Sequence, residues 1–329
     1  MNHRPVSRLL RALAITSAAA LLNPAAALAQ AFPPAKPITL VVGFAPGGAA
    51  DAAARLIAKK LGENIGQTVL VENKAGAGGN IAHQQVAQGP ADGTMLLLGS
   101  IGPLTIAPHM MKLAYDPFKD LAAISGGVNF PNLLVVHPGA GIKNMADFLA
   151  AARKAPNNVS YASTGNGSAS HLAGELFAAR TGTEMLHVPY KGGAPAMNDL
   201  LGGRFTGYFS APPTSLPHVE SGKLIPLATT GLTRPAYMPN IPTVAESGLP
   251  GFEALNWYAF VGSSKMPAAM LDRYNLEIVK VLNDPGVREA LLKHGLSAHP
   301  TTRAELTEFM HKESTKWAQI VKDRNIRPE

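Results

Sequence analysis

The sequence predicts an α/β protein built as two lobes. Short apolar stretches such as "ITLVVGF" and "TMLLLGS" alternate with segments in which apolar residues recur at helical spacing, and glycine-rich turns separate them. Such units indicate sheets with parallel strands covered by helices. Two sets of these units follow one another, and roughly 300 residues remain after an N-terminal leader, enough for two domains.

The leader is the first element. Arg4, Arg8 and Arg11 precede a short apolar run, Ala12 to Leu22, and the small-x-small pattern Ala27-Leu28-Ala29 follows. This order is typical of a secretory signal peptide over residues 1–29, cut before Gln30. The apolar run is too short to span a bilayer. We therefore expect an exported protein of the periplasm.

The first set of units runs from a buried strand to a third strand. In chain order, the predicted elements are "ITLVVGF" (strand), "AADAAARLIAKKLGENIG" (helix), "TVLVEN" (strand), a helix from Ile81 to Ala87, and "TMLLLGS" (strand). Glycine-rich loops, among them "KAGAGGN", join them. This set forms the body of the first lobe.

The second set follows the same alternation. Its predicted elements are the strands "NLLVVHP", "NVSYAS", "EMLHVP", "RFTGYF" and "LIPLATT", the helices "NMADFLAAARKAP", "GSASHLAGELFAARTG" and "APAMNDLLGG", and a short helix from Leu216 to Ser221. A strand "WYAFVGS" and helices then close the chain; residues 283–286, "NDPG", separate two of them, and the last spans Thr301 to Val321. Residues 121–129 and 249–256 are interpreted as connections. The predicted boundaries are 33–130 and 253–329 for lobe 1 and 131–252 for lobe 2.

Charge and cysteine content exclude several functions. The net charge is +7, and without the three leader arginines 26 basic and 22 acidic residues remain, scattered along the chain. A scattered surface charge argues against nucleic acid as a partner. The absence of cysteine excludes thiolate, disulfide and zinc-thiolate chemistry. We expect no metal and no cofactor.

Two glycine loops at helix starts are the candidate binding elements. The first is Phe44-Ala45-Pro46-Gly47-Gly48, and the second is Ser163-Thr164-Gly165-Asn166-Gly167-Ser168. Backbone N–H groups in the first turn of a helix have no intrahelical partner, and the helix dipole adds positive potential there. Glycine lets an anion approach this backbone. We expect the two lobes to bind an organic carboxylate between these loops, with Ser100 nearby at the end of a third strand.

Hydrogen bonds alone can supply the affinity. A hydrogen bond to a charged group contributes about 1.5–3 kcal/mol, and a micromolar ligand needs about 8 kcal/mol. Four to six such bonds exceed this after the cost of association. A turn that merely joins strand to helix is the plainer account of each loop taken alone. Their matching positions in two lobes favour a binding site.

The sequence resembles the periplasmic solute receptors of tripartite tricarboxylate transporters, the Bug receptor family. The motifs that carry the resemblance cover nearly all of the mature chain: "GFAPGGAADAAAR", "VENKAGAGGNIA", "VAQGPADGTMLLLGS", "YDPFKDLAAIS", "YASTGNGSASHLAGELF", "HVPYKGGAPAMNDLLGG", "SGKLIPLATTG" and "MPNIPTVAESGLPGFEALNW". The resemblance implies a type II (Venus-flytrap) periplasmic binding fold of two lobes, each a mainly parallel sheet flanked by helices. It also implies membrane transporter subunits as partners, and we expect a monomer.

The resemblance also implies which residues bind the ligand. In the family, loops of both lobes hold a carboxylate largely through backbone amides and bridging waters. Carried over by motif, the residues are Phe44, Ala45, Gly48 and Ser100 in the first lobe, and Ser163, Thr164, Gly165 and Ser168 in the second.

Thr206 marks one departure from the family pattern. Family members often carry an aspartate at this point, where it can meet the amino group of an amino-acid ligand; here the stretch reads Arg204-Phe205-Thr206. Loss of that negative charge predicts a plain carboxylate ligand, aromatic or a di-acid, over an amino acid.

Other residues of these motifs have plainer interpretations. Asp51 and Arg55 are four apart on a helix and predict an ion pair at its start. His171 is interpreted as a buried or capping histidine, Lys191 as a solvated loop lysine, and Trp257 as a residue that packs the hinge and does not stack on the ligand.

The motifs do not fit an enzyme and leave one other function open. Ser168 and His171 are close in sequence, but the chain lacks the G-x-S-x-G elbow of a hydrolase and any H-E-x-x-H metal motif. Residues 165–170, "GNGSAS", miss the dinucleotide pattern G-x-G-x-x-G at the last position. We therefore expect no enzyme. A carboxylate-sensing receptor that feeds a signalling protein remains an open alternative to transport, because the binding chemistry would be the same.

Overall fold

The structure is a computed structural model that describes residues 32–323 and residue 326. The predicted signal peptide, residues 1–29, lies outside the described residues. Within them, the chain forms two sheets with helices packed against both, in the two-lobed α/β arrangement that the sequence predicts.

Eleven strands are present in the described residues. They are β1 (Ile38–Val42), β2 (Val69–Asn73), β3 (Met95–Ser100), β4 (Leu121–Pro131), β5 (Leu133–Val136), β6 (Ser160–Ser163), β7 (Leu186–Pro189), β8 (Gly207–Ser210), β9 (Ile225–Thr229), β10 (Leu255–Ser263) and β11 (Ser297–Ala298).

The described part of the chain contains nine α-helices. They are α1 (Ala49–Ile65), α2 (Asn80–Gln88), α3 (Met145–Lys154), α4 (Ala169–Thr181), α5 (Gly193–Leu201), α6 (Pro212–Glu220), α7 (Ala268–Asn283), α8 (Pro285–Lys293) and α9 (Arg303–Asp323). Shorter helical turns include a π-helical turn at Gly102–Ile106, directly after β3.

Both sheets are mixed, which differs from the mainly parallel sheets implied by the resemblance. The first has the order β11-β4-β10-β3-β1-β2, with β1 parallel to β2 and β3 and the remaining pairs antiparallel. The second has the order β7-β6-β8-β5-β9, with β6 parallel to β7 and β8 and antiparallel pairs on both sides of β5. Strands β4 and β10 pair antiparallel because the chain leaves the first sheet through β4 and returns to it through β10.

The segments interpreted as connections are largely strands. Residues 121–129 lie within β4, and β10 begins at Leu255, inside the second predicted connection. The two strands pair with each other over nine residues of β10, from Leu255 opposite Pro131 to Ser263 opposite Leu121. The chain thus leaves the first sheet after β4 and returns to it in β10. The exact lobe boundaries, 33–130 with 253–329 and 131–252, stay a prediction.

Local signals in the sequence explain where the helices begin and end. Helix α1 ends at Gly66, which adopts the left-handed conformation (φ 68°) that glycine tolerates. Gly182 ends α4 in the same way (φ 64°). The Asp284 carboxylate accepts a hydrogen bond from the Val287 N–H at 3.1 Å and caps α8. These boundaries agree with the predicted helices.

Among the described residues, buried apolar side chains form at least three clusters, and further buried residues such as Leu40, Ile57 and Phe260 lie in the first lobe. One cluster lies mainly in the first lobe and includes Val41, Leu97, Trp257 and Trp317. The other two pack on the second sheet, one around Phe148 and Phe177 and one around Met197 and Tyr208, each formed with the helices that cover it. Among the described residues, no helix combines the length and apolarity needed to cross a membrane.

Candidate functional site

A cavity lies where strands of both sheets end and helices begin. It contains about 450 Å³ of space free of atoms, part of it open to solvent. Phe44 follows β1, Ser100 ends β3, Thr164 follows β6 and Ala211 follows β8, and all four line the cavity. Ligands of open α/β sheets bind at this position, outside the carboxyl ends of the strands.

Several helices direct their N-termini at this cavity. Its wall includes Gly48, Ala49 and Ala50 of α1, Ala169 and Ser170 of α4, and Gly193 of α5. The first N–H groups of a helix have no intrahelical acceptor, and the helix dipole makes this end positive. None of the lining residues is charged. The site can therefore hold an anion without an arginine or lysine side chain.

An ion pair holds the first-lobe loop. The Asp51 carboxylate accepts hydrogen bonds from the Gly47 N–H and from Arg55 Nε, each at 3.0 Å. Asn73 Nδ2 donates to the Phe44 carbonyl at 3.0 Å on the other side of the loop. Burial acts to raise the pKa of Asp51, but the hydrogen bonds from Arg55, Gly47 and Asn73 together keep that pKa below its usual value. The carboxylate is thus ionised at neutral pH, and its charge is neutralised by Arg55.

A buried histidine holds the end of β3. His83 Nε2 accepts the Ser100 N–H at 3.2 Å, so the ring proton is on Nδ1, which donates to the Gly79 carbonyl at 2.9 Å. Burial lowers the pKa of His83 to about 4, and the ring is neutral at physiological pH. The Ser100 hydroxyl is buried and has no hydrogen-bond partner among the described residues. A ligand group in the cavity can supply that partner.

The backbone amides of the second-lobe loop are largely engaged within the lobe. The Thr164 N–H donates to Ser170 Oγ at 2.9 Å, the Gly165 N–H to Ser163 Oγ at 3.0 Å, and the Gly167 N–H to His171 Nδ1 at 3.2 Å. These amides fix the shape of the loop and are not available to a ligand in this conformation. The N-terminus of α4, which follows the loop, supplies the second-lobe N–H groups that reach the cavity wall.

Two stacked histidines lie behind this loop. The rings of His171 and His187 are 4.2 Å apart between centroids, and His187 Nε2 lies 2.6 Å from Ser163 Oγ. Burial is the main cause that lowers the pKa of His171 to about 3, with a contribution from the neighbouring His187. Burial also lowers the pKa of His187 to about 4. Both rings are therefore neutral at physiological pH.

The two lobes touch through their backbones around the cavity. The Ala45 N–H donates to the Lys191 carbonyl at 3.0 Å. A methyl group added at Gly102 would lie 2.5 Å from the Gly167 carbonyl oxygen, and one added at Gly78 would lie 2.2 Å from that of Asn166. Because only glycine permits such close approaches, the two loops can touch at these points. The lobes are therefore closed over the cavity.

The predicted site residues fall into three groups. Phe44, Gly48, Ser100 and Thr164 line the cavity. Ala45, Ser163, Gly165 and Ser168 lie next to it but are engaged in protein hydrogen bonds: Ala45 and Gly165 donate their N–H groups within the protein, and the Ser163 and Ser168 hydroxyls accept from the N–H groups of Gly165 and His171.

Thr206 forms the third group and is separate from this cavity. It precedes β8 at the opposite end of the strand, where its hydroxyl accepts the Ser160 N–H at 3.2 Å and lines a different surface cavity with His137 and Arg204. The inference about ligand charge from Thr206 therefore has no geometric basis, because the side chain is held at the far edge of the sheet.

Gly193 lines the cavity, as expected from the stretch Tyr190-Lys191-Gly192-Gly193, which follows a predicted strand and could frame the pocket. Other wall residues are not singled out by the sequence: Asn132, Ser170, Tyr208, Phe209, Ala211, Thr214, Asn256 and Tyr258. Asn132 and Asn256 are polar residues in otherwise apolar, strand-forming stretches, and this pattern is the signal by which the sequence could have identified them as wall residues. The others come together only through tertiary contacts. For example, a methyl group added at Gly193 would lie 3.5 Å from the Tyr208 hydroxyl.

The interpretations of Asp51, Arg55, His171 and Lys191 agree with the structure. Asp51 and Arg55 form an ion pair at 2.9 Å, His171 is buried, and the Lys191 side chain is exposed. Trp257 does not line the cavity, and the contacts it makes are within the first lobe: it packs against Phe309 and donates its ring N–H to a glutamate of α9 at 3.2 Å. In the part of the chain that the structure describes, no three histidine or acidic side chains are grouped as a metal site would require.

Comparison with known sequences identifies the family. Residues 53–326 match the model of the tripartite tricarboxylate transporter family receptor. A UPF0065 protein encoded in the tcbD-tcbE intergenic region of a Pseudomonas species is 36% identical over 289 residues, covering 88% of this chain and 86% of the relative. Protein BugT of Bordetella pertussis is 35% identical over 292 residues, with 88% and 90% covered.

Solved structures show the same fold. An R. palustris protein with adipate is 32% identical with a TM-score of 0.86, covering 90% of this chain and 99% of that one. The periplasmic binding protein BugD is 32% identical with a TM-score of 0.85, and 90% and 100% are covered. MatC from Rhodopseudomonas palustris with bound malate is 28% identical with a TM-score of 0.83, and 88% and 99% are covered. The chain therefore belongs to the tripartite tricarboxylate transporter receptor family, whose members are periplasmic binding proteins.

Proposed function

We propose that this protein captures a small organic carboxylate between its two lobes and delivers it to the membrane subunits of a tripartite tricarboxylate-type transporter. The observation that carries the proposal is an uncharged cavity at which α1, α4 and α5 direct their N-termini. This arrangement stabilises a negative group and gives no advantage to a cation. The related structures with adipate and malate support a carboxylate.

The roles of individual residues follow from their positions. Gly48 and the first turn of α1 would donate N–H groups to the carboxylate from one lobe, and Ser170 with the first turn of α4 from the other. Ser100 would donate its unpaired hydroxyl, while Phe44 and Thr164 shape the wall.

The other predicted site residues would act indirectly. Ala45, Ser163, Gly165 and Ser168 would hold the loops in place through the hydrogen bonds they already make. Thr206 is left out of the proposed site because it lies at the other end of β8.

Closure of the lobes would produce the form of the protein that the membrane subunits recognise. The backbone contacts between the lobes, such as the Ala45 N–H to the Lys191 carbonyl, form only when the two loops are brought together. A bound carboxylate would stabilise that closed form because it is held by helix ends from both lobes. We place the protein in the periplasm, with the membrane subunits recognising this closed form.

The binding proposal is tested by a thermal-shift screen of mono-, di- and tricarboxylates on the purified mature protein, followed by calorimetry on the hits. We expect at least one carboxylate to raise the melting temperature in a concentration-dependent way, while the corresponding alcohols and amines do not. A screen in which amines stabilise the protein and no carboxylate does would overturn the proposal.

Delivery is tested separately in cells. In a strain that lacks this protein, we expect uptake of the identified carboxylate to fall and to return with the wild-type gene. Unchanged uptake together with altered gene expression would show a sensing receptor instead.

A further inference from the structure

Two buried asparagines meet on the wall of the cavity, where the chain passes between the sheets. Asn132 lies between β4 and β5 and is 1% exposed, and Asn256 is the second residue of β10 and is 8% exposed. Asn256 Nδ2 donates to Asn132 Oδ1 at 3.5 Å. The Asn132 backbone is fixed by Thr230, whose Oγ1 accepts the Asn132 N–H at 2.9 Å. These hydrogen bonds hold the two asparagine side chains in defined positions in the cavity wall.

The pair leaves one donor and one acceptor without a partner. Asn132 Nδ2 and Asn256 Oδ1 are both buried and make no hydrogen bond within the described residues. Exchanging the nitrogen and oxygen of both amides would reverse the bond between them and again leave one donor and one acceptor. This conclusion thus does not depend on how the amides are assigned. Buried polar atoms in this state are destabilising until a ligand or water satisfies them.

Other unpaired groups in the cavity do not share this constraint. The hydroxyls of Ser100 and Thr214 are also buried without partners, but a hydroxyl can rotate to donate or accept according to the ligand. An amide oxygen can only accept. Asn256 Oδ1 (or its equivalent in the exchanged assignment) therefore requires a donor, which either the ligand or a water molecule bound with it can supply.

We propose that this asparagine pair selects carboxylates whose far end carries a hydroxyl group, in preference to dicarboxylates of the same length. This inference rests on the carboxylate-binding function proposed above. A hydroxyl can donate to the amide oxygen and accept from the amide nitrogen at once. A second carboxylate offers only acceptors, so it can accept from Asn132 Nδ2 but places its negative charge next to Asn256 Oδ1, an acceptor that it cannot satisfy.

The test is calorimetry with three ligands matched in length: an ω-hydroxy acid, the dicarboxylate and the unsubstituted monocarboxylate. Straight-chain acids of four to eight carbons and the para-substituted benzoates serve as the series. At the best-fitting length, we expect the hydroxy acid to bind about tenfold more tightly than the dicarboxylate. A dicarboxylate that binds more tightly than the hydroxy acid would overturn this inference alone. Failure of all three ligand classes would instead overturn the proposed function.

A variant links the preference to the pair. In Asn256→Leu, we expect the affinity ratio of hydroxy acid to dicarboxylate to fall by about tenfold, because the donor–acceptor set is removed. Asn198→Leu, on the exposed face of α5, is the matched control and keeps the wild-type ratio. An unchanged ratio in a folded Asn256→Leu protein would contradict the role of the pair. If the variant does not fold, the ratio of hydroxy-acid to dicarboxylate affinity measured on the wild-type protein still tests the proposal.

Discussion

The loop of the first lobe and the loop of the second lobe meet at the same cavity but are held by different forces. The first is fixed by the ion pair of Asp51 and the half-exposed Arg55, with hydrogen bonds to Gly47 and Asn73. The second is fixed by neutral, buried side chains, because Ser163, Ser170 and His171 accept its amides and His187 packs behind them. The first loop should therefore respond to changes of charge, and the second to protonation and to lost packing.

Acid should destabilise the protein more than any of the substitutions below. His83, His171 and His187 have pKa values of about 4, 3 and 4 in the folded protein, whereas an unfolded histidine has a pKa of about 6.5. Between these values the unfolded state binds more protons, so stability falls as the pH drops from about 6.5 towards 4, by about 1.4 kcal/mol per pH unit for each histidine. Chemical denaturation between pH 7.5 and 4.5 measures this slope.

Two of these three histidines lie behind the second loop, so this loop should open at a higher pH than the first. Hydrogen exchange should show amides of residues 164–170 losing protection at a higher pH than those of residues 45–50. The Asp51 pKa is below its usual value of 3.8, so its contribution to stability is present above this range and is lost only at lower pH. In His171→Gln the slope should decrease by the contribution of one histidine, about 1.4 kcal/mol per pH unit. A wild-type stability that does not fall between pH 7.5 and 4.5 would contradict the neutral assignment.

The substitution His187→Ala should cause the next largest loss of stability. This change removes a ring stacked on His171 and Tyr161 and the partner of Ser163. The cavity and the lost hydrogen bond should reduce the free energy of unfolding by about 3 kcal/mol, measured by urea denaturation at pH 7.5. His294→Ala, at an exposed position, should change it by less than about 0.5 kcal/mol. Equal effects of the two substitutions would refute the packing role of the histidine pair.

A smaller effect is expected where the loops touch. Gly102 has helical geometry that alanine tolerates, but the added methyl group would lie 2.5 Å from the Gly167 carbonyl in the closed form. Gly102→Ala should keep the stability of each lobe and weaken ligand binding by about tenfold, because closure is hindered. Small-angle scattering with saturating ligand would show the open form. Gly202→Ala, whose added methyl group meets no atom closer than 3.5 Å, should bind normally.

The smallest effect concerns the ion pair of the first loop. Arg55→Ala leaves the buried Asp51 carboxylate uncompensated near the start of α1, where it would repel the ligand. We expect binding to weaken about two- to fivefold, more strongly at low salt. Arg273→Ala removes a similar helical pair, Arg273–Glu277, whose residues do not line the cavity, and should leave the affinity unchanged. Tighter binding by Arg55→Ala would contradict the electrostatic account of this loop.

Local sequence patterns predict most of the helices, most of the strands and the two glycine loops, although α6 begins at Pro212 and not at the predicted Leu216. Caps and breakers act over a few residues: Gly66 and Gly182 end helices because they accept positive φ, and Asp284-Pro285 starts one. Strand-to-helix order then placed both loops at carboxyl ends of strands, where Phe44, Gly48, Ser100 and Thr164 line the cavity.

Which polar groups at that cavity remain free depends on contacts between distant parts of the chain. Residues 121–129 looked like a connection because their pattern is weak, yet pairing with β10 makes them a strand. The Gly165 amide looked available but donates to Ser163, and Thr206 matched a motif but lies at the other end of β8. Asn132 and Asn256 are 124 positions apart. Contacts over such separations depend on how whole strands pair, and no local pattern specifies them.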